Sequence, residues 1–143
     1  MRRPTLYLRI ASVLTLIMAV LHTIGGVFGK PLPGAATVAW TAMESNHFLA
    51  FGVDRSYKIY YIGFGLSMSI SMVVEGVVFW LLGNLARTDA ARLRPILMVF
   101  LGGYLFTALN AYLFFFFPPV ITTLLISACL AGAWFTAKPS PAN

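Results

Sequence analysis

The chain has 143 residues, 59% of them hydrophobic and 10% charged, with a formal net charge of +6. A soluble domain carries about 25% charged residues, so a chain this apolar (mean hydropathy +0.85) is read as an integral membrane protein and not as a water-soluble globule. The basic residues stand at the ends of apolar runs and form no patch, which excludes a nucleic-acid footprint and points to topology signals and anionic lipid headgroups.

The first apolar run covers residues 6–29. Arg2 and Arg3 followed by Ile10 to Val20 resemble a signal peptide, but the run continues to Phe28 and no small-x-small site closes it, so a retained span is expected. Three further runs cover 59–83, 96–117 and 120–137. Each is near the roughly 20 residues that cross about 30 Å of hydrocarbon, and each must be helical to satisfy its own backbone. The expected fold is all-α: one domain, a four-helix transmembrane bundle.

Arg2, Arg3, Arg9, Arg87, Arg92, Arg94 and Lys138 fall on one side of these spans, against Lys30, Arg55 and Lys58 on the other. Both termini are therefore expected in the cytoplasm. The 30–58 loop is then external. It opens with the helix-breaking KPLPG and continues with Val38, Met43, Phe48 and Phe51 at loosely amphipathic spacing. It is read as an interfacial or re-entrant helix capping the outer end of the bundle, with Asp54 or Ser56 as N-cap of the second span. Pro95 suits the first turn of the third helix. The very short turn Phe117-Pro118-Pro119-Val120 makes the third and fourth spans an antiparallel hairpin.

Polar residues within the spans need an account, because they are costly in lipid. His22 sits among small residues, with Gly25 and Gly29 at the spacing of close helix approach. It is either a packing-face histidine bonded to a carbonyl or a histidine held beside a ligand. Glu75 is the one acid within an apolar span. At 1.5 Å per residue it lies roughly 6 Å to the cytoplasmic side of its helix centre, and His22 roughly 7 Å to the outer side of its own. The two are not expected to touch. Glu75 reads as a protonated carboxyl bonded across the bundle, or as a proton-coupling group. At the depth of His22 the expected neighbours are Ser67, Thr107 and Asn110, which read as interhelical hydrogen bonds or as the lining of a site.

The segment RSYKIYYIGFG, residues 55–65, stands at the rim of that layer. Tyr57, Tyr60 and Tyr61 beside Lys58 fit an interfacial aromatic belt. Arg55 fits a belt less well: Asp54 and Ser56 flank it and can orient its guanidinium to clamp an acidic group. A space between helices roofed by a loop is where bundle proteins bind small molecules. The candidate binding residues are His22, Ser67, Asn110, Arg55, Tyr57, Tyr60 and Tyr61. The sequence has no phosphate loop, His-x-x-x-His, Cys-x-x-Cys or Ser-His-Asp pattern. His22 and His47 are poorly spaced as ligands, so no metal site is expected. Cys129 is the one cysteine, which excludes an internal disulfide.

HTIGG at 22–26 and RSYKIYYIGFG at 55–65, followed by a serine-containing span ending in WLLGNLA at 80–86, resemble small uncharacterised bacterial four-span membrane proteins, broadly DoxX-like. The resemblance covers roughly the first 86 residues. It implies the bacterial inner membrane and, by analogy with quinone-linked subunits, a lipid-soluble ligand such as a quinone, isoprenoid or lipid; it implies no particular reaction, so whether the chain is an enzyme stays open. Proton-coupled transport through Glu75 and a non-catalytic accessory role in a larger membrane complex are the other readings. Gly25/Gly29 or Ala128/Gly132 are the faces on which a homodimer would form.

Overall fold

A computed structural model of the chain describes residues 3–138; Arg2, counted above among the basic residues, lies outside them. The elements in order are α1 (Arg3–Leu21), which continues as a π-helical turn (His22–Val27), α2 (Ala35–Ser45), β1 (His47–Ala50), β2 (Val53–Ser56), α3 (Tyr57–Leu85), α4 (Arg94–Phe114) and α5 (Phe117–Thr136). A short 3-10 turn, Ala91–Leu93, leads into α4. Four of the helices are long and apolar enough to cross a membrane, and the chain is a multi-pass membrane protein. The described residues form two compact units, one of 3–18 with 72–138 and the other of 19–71.

The first unit is a four-helix bundle. Leu8, Ala11, Phe79, Leu82, Leu97, Tyr104, Ile126, Leu130 and Ala133 make its core, drawn from α1, α3, α4 and α5. Without water to expel, such helices hold together by close packing and interhelical hydrogen bonds. Both are present. A Cβ on Gly76 would meet Leu16 Cγ at 2.7 Å, and one on Gly132 would meet the Tyr7 ring at 2.9 Å. Gly132 thus packs within the chain. Ser12 Oγ donates to Gly76 O at 2.6 Å, and Arg9 Nη2 donates to Asn84 Oδ1 at 2.6 Å. The Arg9 guanidinium carbon lies over Trp80, 3.2 Å from the ring centroid.

One sequence expectation shifts here. The turn between the last two spans is Phe115–Phe116, and Pro118 and Pro119 lie inside the first turn of α5. A proline there gives up an N–H that has no intrahelical partner anyway. Pro95 occupies the equivalent place in α4, as its position in the sequence indicated.

The second unit holds the π-helical turn, α2, a two-stranded antiparallel hairpin and the first half of α3. The loop thus contains the expected helix, and also a hairpin that its pattern did not indicate. The HTIGG segment forms the wide turn, with Phe28 N bonded to Thr23 O five residues back at 3.0 Å. Its glycines serve the turn itself: a Cβ on Gly29 would collide with the Gly25 carbonyl oxygen, and Gly25 faces open space. Close helix approach occurs next door. A Cβ on Gly65 would meet Val27 Cγ2 at 2.6 Å, so the buried Val27 rests on the backbone of α3. Gly65→Val is expected to lose about 1–3 kcal/mol to overpacking, measured as a lowered midpoint in detergent unfolding. An unchanged midpoint would contradict the contact.

Candidate functional site

The site is built on the junction of β2 and α3. Ser56 is buried and its hydroxyl accepts from Ile59 N at 3.3 Å, which makes it the N-cap that starts α3. Asp54, the other expected cap, is engaged elsewhere: its carboxylate lies 3.1 Å from His47 Nδ1 across the hairpin. The register pairs Phe48 with Arg55 and Leu49 with Asp54. Directly paired residues share a face, so Arg55 and Phe48 lie on one face and Asp54 and Leu49 on the other. Arg55 is held by its predecessor, Nη1 donating to the Asp54 carbonyl at 2.9 Å.

α2 is tied to the same helix start. Lys58 Nζ donates to Glu44 Oε1 at 2.7 Å and stands 5.4 Å from the Trp40 ring centre. Trp40 meets Tyr61 edge to face at 5.9 Å, and Tyr61 Oη donates to Gly26 O at 3.3 Å, closing a carbonyl at the end of the wide turn. Phe48 packs on Tyr57 at 4.9 Å and on Tyr60 at 5.3 Å, and Tyr60 packs on Phe64 at 4.8 Å. The three tyrosines therefore do different jobs. Tyr57 and Tyr61 anchor the loop, and Tyr60, which also meets Phe48, lines a surface as well.

That surface is an open groove of about 410 Å³ lined by Arg55, Ile59, Tyr60, Gly63, Phe64 and Ser67. The volume is at the lower end for small-ligand sites. Its lining runs from one guanidinium along two turns of apolar helix to one hydroxyl. Ser67 turns back on its own helix, donating to Gly63 O at 2.9 Å. Gly63 leaves the middle of the groove clear: a Cβ there would stand in open space, with nothing within 4 Å. Gly63 and Phe64 were not singled out as site residues in the sequence. The signal was the Gly-Phe-Gly step, with one glycine needed for packing and the other left over.

Of the candidate residues, the structure gathers Arg55, Tyr60 and Ser67 in the groove, with Tyr57 and Tyr61 beside it in the same unit. His22 is not in the lining. It begins the wide turn, with its ring against Gly26, and its Nε2 is enclosed with no hydrogen-bond partner among the described residues. Thr23, its neighbour, stands 2.8 Å from Ser69 Oγ. Thr107 and Asn110 belong to the four-helix unit, where both are exposed, and Thr107 donates to Gly103 O at 2.9 Å.

Glu75 sits half-buried in the four-helix unit and is bonded across it. Tyr104 Oη donates to Glu75 Oε2 at 2.6 Å, and Thr15 Oγ1 lies 3.3 Å from that same hydroxyl. Thr15 donates to Ala11 O at 2.9 Å. Tyr104 was missed as the partner of Glu75, although a carboxyl in a span calls for a donor on a facing helix. No group of three or more His, Cys, Asp or Glu that could hold a metal occurs among the described residues. No family model, curated protein or solved structure matches the chain.

Proposed function

We propose that this protein binds a lipid-soluble amphiphile in the groove on α3, with the polar head on Arg55 and the apolar body along Ile59, Tyr60, Gly63 and Phe64. The observation that carries this reading is the pairing of one oriented guanidinium with an apolar groove that a missing side chain keeps open. A guanidinium with free N–H groups favours an acidic or carbonyl-bearing head. A quinone, an isoprenoid or a lipid all satisfy that chemistry. The resemblance to bacterial four-span, broadly DoxX-like proteins supports the same ligand classes and an inner-membrane location. The distribution of Lys and Arg supports cytoplasmic termini and a groove in the outer leaflet. Because the groove is open, its ligand exchanges laterally with the bilayer.

The test is to purify the protein in mild detergent, extract it and identify retained small molecules by mass spectrometry. The wild type is expected to retain about one equivalent of one amphiphile, and Gly63→Leu to retain less than about a tenth of it. That substitution puts a side chain into open space and replaces a mid-helix glycine, so stability holds or rises by about 1 kcal/mol. Arg55→Gln is expected to weaken retention and to release an acidic ligand first. A wild-type protein that carries nothing would end this reading. A second reading, proton-coupled transport through Glu75, draws on the Thr15–Tyr104–Glu75 chain of hydroxyls and carboxyl.

A further inference from the structure

The β1–β2 hairpin turns through two residues, Phe51 and Gly52, with φ of 51° and 80°. Positive φ at both central residues is the turn that suits a hairpin's twist, and it favours Asn-Gly or Gly-Gly. A bulky aromatic there is a backbone outlier costing of order 1–2 kcal/mol. Phe51 gains nothing in return from the protein, since its side chain is fully exposed. Leu49 is 75% exposed beside it, and Val53 is 44% exposed. A strained, uncovered phenylalanine at the end of an uncharged stretch, Leu49–Val53, needs an apolar medium.

The surroundings say which medium. The hairpin carries its charges in the stem, where His47 and Asp54 pair, and none at the tip. It therefore passes from polar to apolar within four residues, as an element crossing a membrane interface does. Phe48 clamps the stem to Tyr57 and Tyr60, and Tyr60 leads to Phe64 on the lipid-facing surface of α3. The hairpin thus continues a surface that already faces lipid. α3 has 29 residues, a length of about 43 Å, against about 30 Å of hydrocarbon. The surplus is assigned to its first turns, where Tyr57, Lys58, Tyr60 and Tyr61 fit an interface, and the clamp then holds the hairpin at that level.

We propose that the hairpin tip, Leu49 to Val53 with Phe51 foremost, inserts into the headgroup–acyl boundary of the leaflet that the start of α3 enters, as a second membrane anchor beside the spans. The inference rests on the turn and its exposure and does not require the groove to hold a ligand.

The test uses the full chain with Cys129→Ser, and Phe51→Cys carrying an environment-sensitive nitrobenzoxadiazole label. The protein is reconstituted into vesicles of phosphatidylcholine and phosphatidylglycerol. A blue-shifted emission is expected, quenched about twofold more by lipids with a nitroxide high on the acyl chain than by aqueous iodide. Leu49→Cys, at a position of ordinary strand backbone, is the second labelled site and should respond in the same sense. Red emission quenched by iodide would place the tip in water and overturn the proposal. Blue emission that no lipid nitroxide quenches would place it against protein, a second copy or another chain, and overturn it equally.

Discussion

Phe79→Ala is expected to be the most damaging single truncation in the four-helix unit, at about 2–3 kcal/mol. Phe79 is the largest fully enclosed side chain, in edge-to-face contact with Phe100 at 4.9 Å and tilted against Tyr104 at 5.8 Å. In a water-soluble core the same change costs about 3–5 kcal/mol, part of it the transfer of the ring out of water. A spanning helix unfolds into lipid, which is as apolar as the core, so that part falls away. What remains is the cavity and the lost dispersion contacts. Unfolding titrations from mild detergent into dodecyl sulfate would read the loss, with Phe79→Leu expected at less than half of it. A loss below about 1 kcal/mol for Phe79→Ala would mean that the neighbours collapse into the space.

The second large effect is expected at Tyr104. Tyr104→Phe leaves the ring in the core but removes the hydroxyl that donates to Glu75 at 2.6 Å. A buried acceptor stripped of its donor costs about 1–3 kcal/mol in a dry protein, and membrane hydrogen bonds reach about 1.7 kcal/mol. A loss of about 1.5 kcal/mol is therefore expected. Glu75→Gln should cost less, because the amide oxygen still accepts from the tyrosine. In the double variant the two losses should not add, with a coupling of about 1 kcal/mol. Additive losses would mean that the two groups do not share a bond in the membrane. Under the proton-coupled reading, Glu75→Gln would also abolish proton-driven uptake in vesicles while leaving stability nearly intact.

The spans were legible because continuous apolar length is a direct physical requirement of the bilayer, and each of the four apolar runs overlaps one of the four long apolar helices. The same property hid the facing of the helices. A helix that is apolar all round carries no stripe to say which side is inward, so Asn110, read as an interhelical bond or a lining residue, is exposed, while Tyr104, for which the pattern offered no reading, is buried. The hairpin was hidden for another reason. Its turn is Phe-Gly, and turn chemistry is recognised by Asn, Asp and Gly at the positions that need positive φ. RSYKIYYIGFG was legible in part. Its arginine and tyrosines could be assigned to the rim of a membrane helix, but only the contact of Val27 with Gly65 separates a packing glycine from the one that opens a groove.

The π-helical turn at His22–Val27 carries one residue more than the same rise of α-helix requires. Elsewhere in α1, gaining or losing a residue would rotate everything beyond it by about 100°. Here the surplus is already taken up within the turn. Val27, the last residue of the turn, is set by it against the backbone of α3 at Gly65, so a residue gained or lost within the turn would re-aim that contact. The HTIGG segment is thus a spacer of fixed count, whose length as well as its composition sets the aim of Val27.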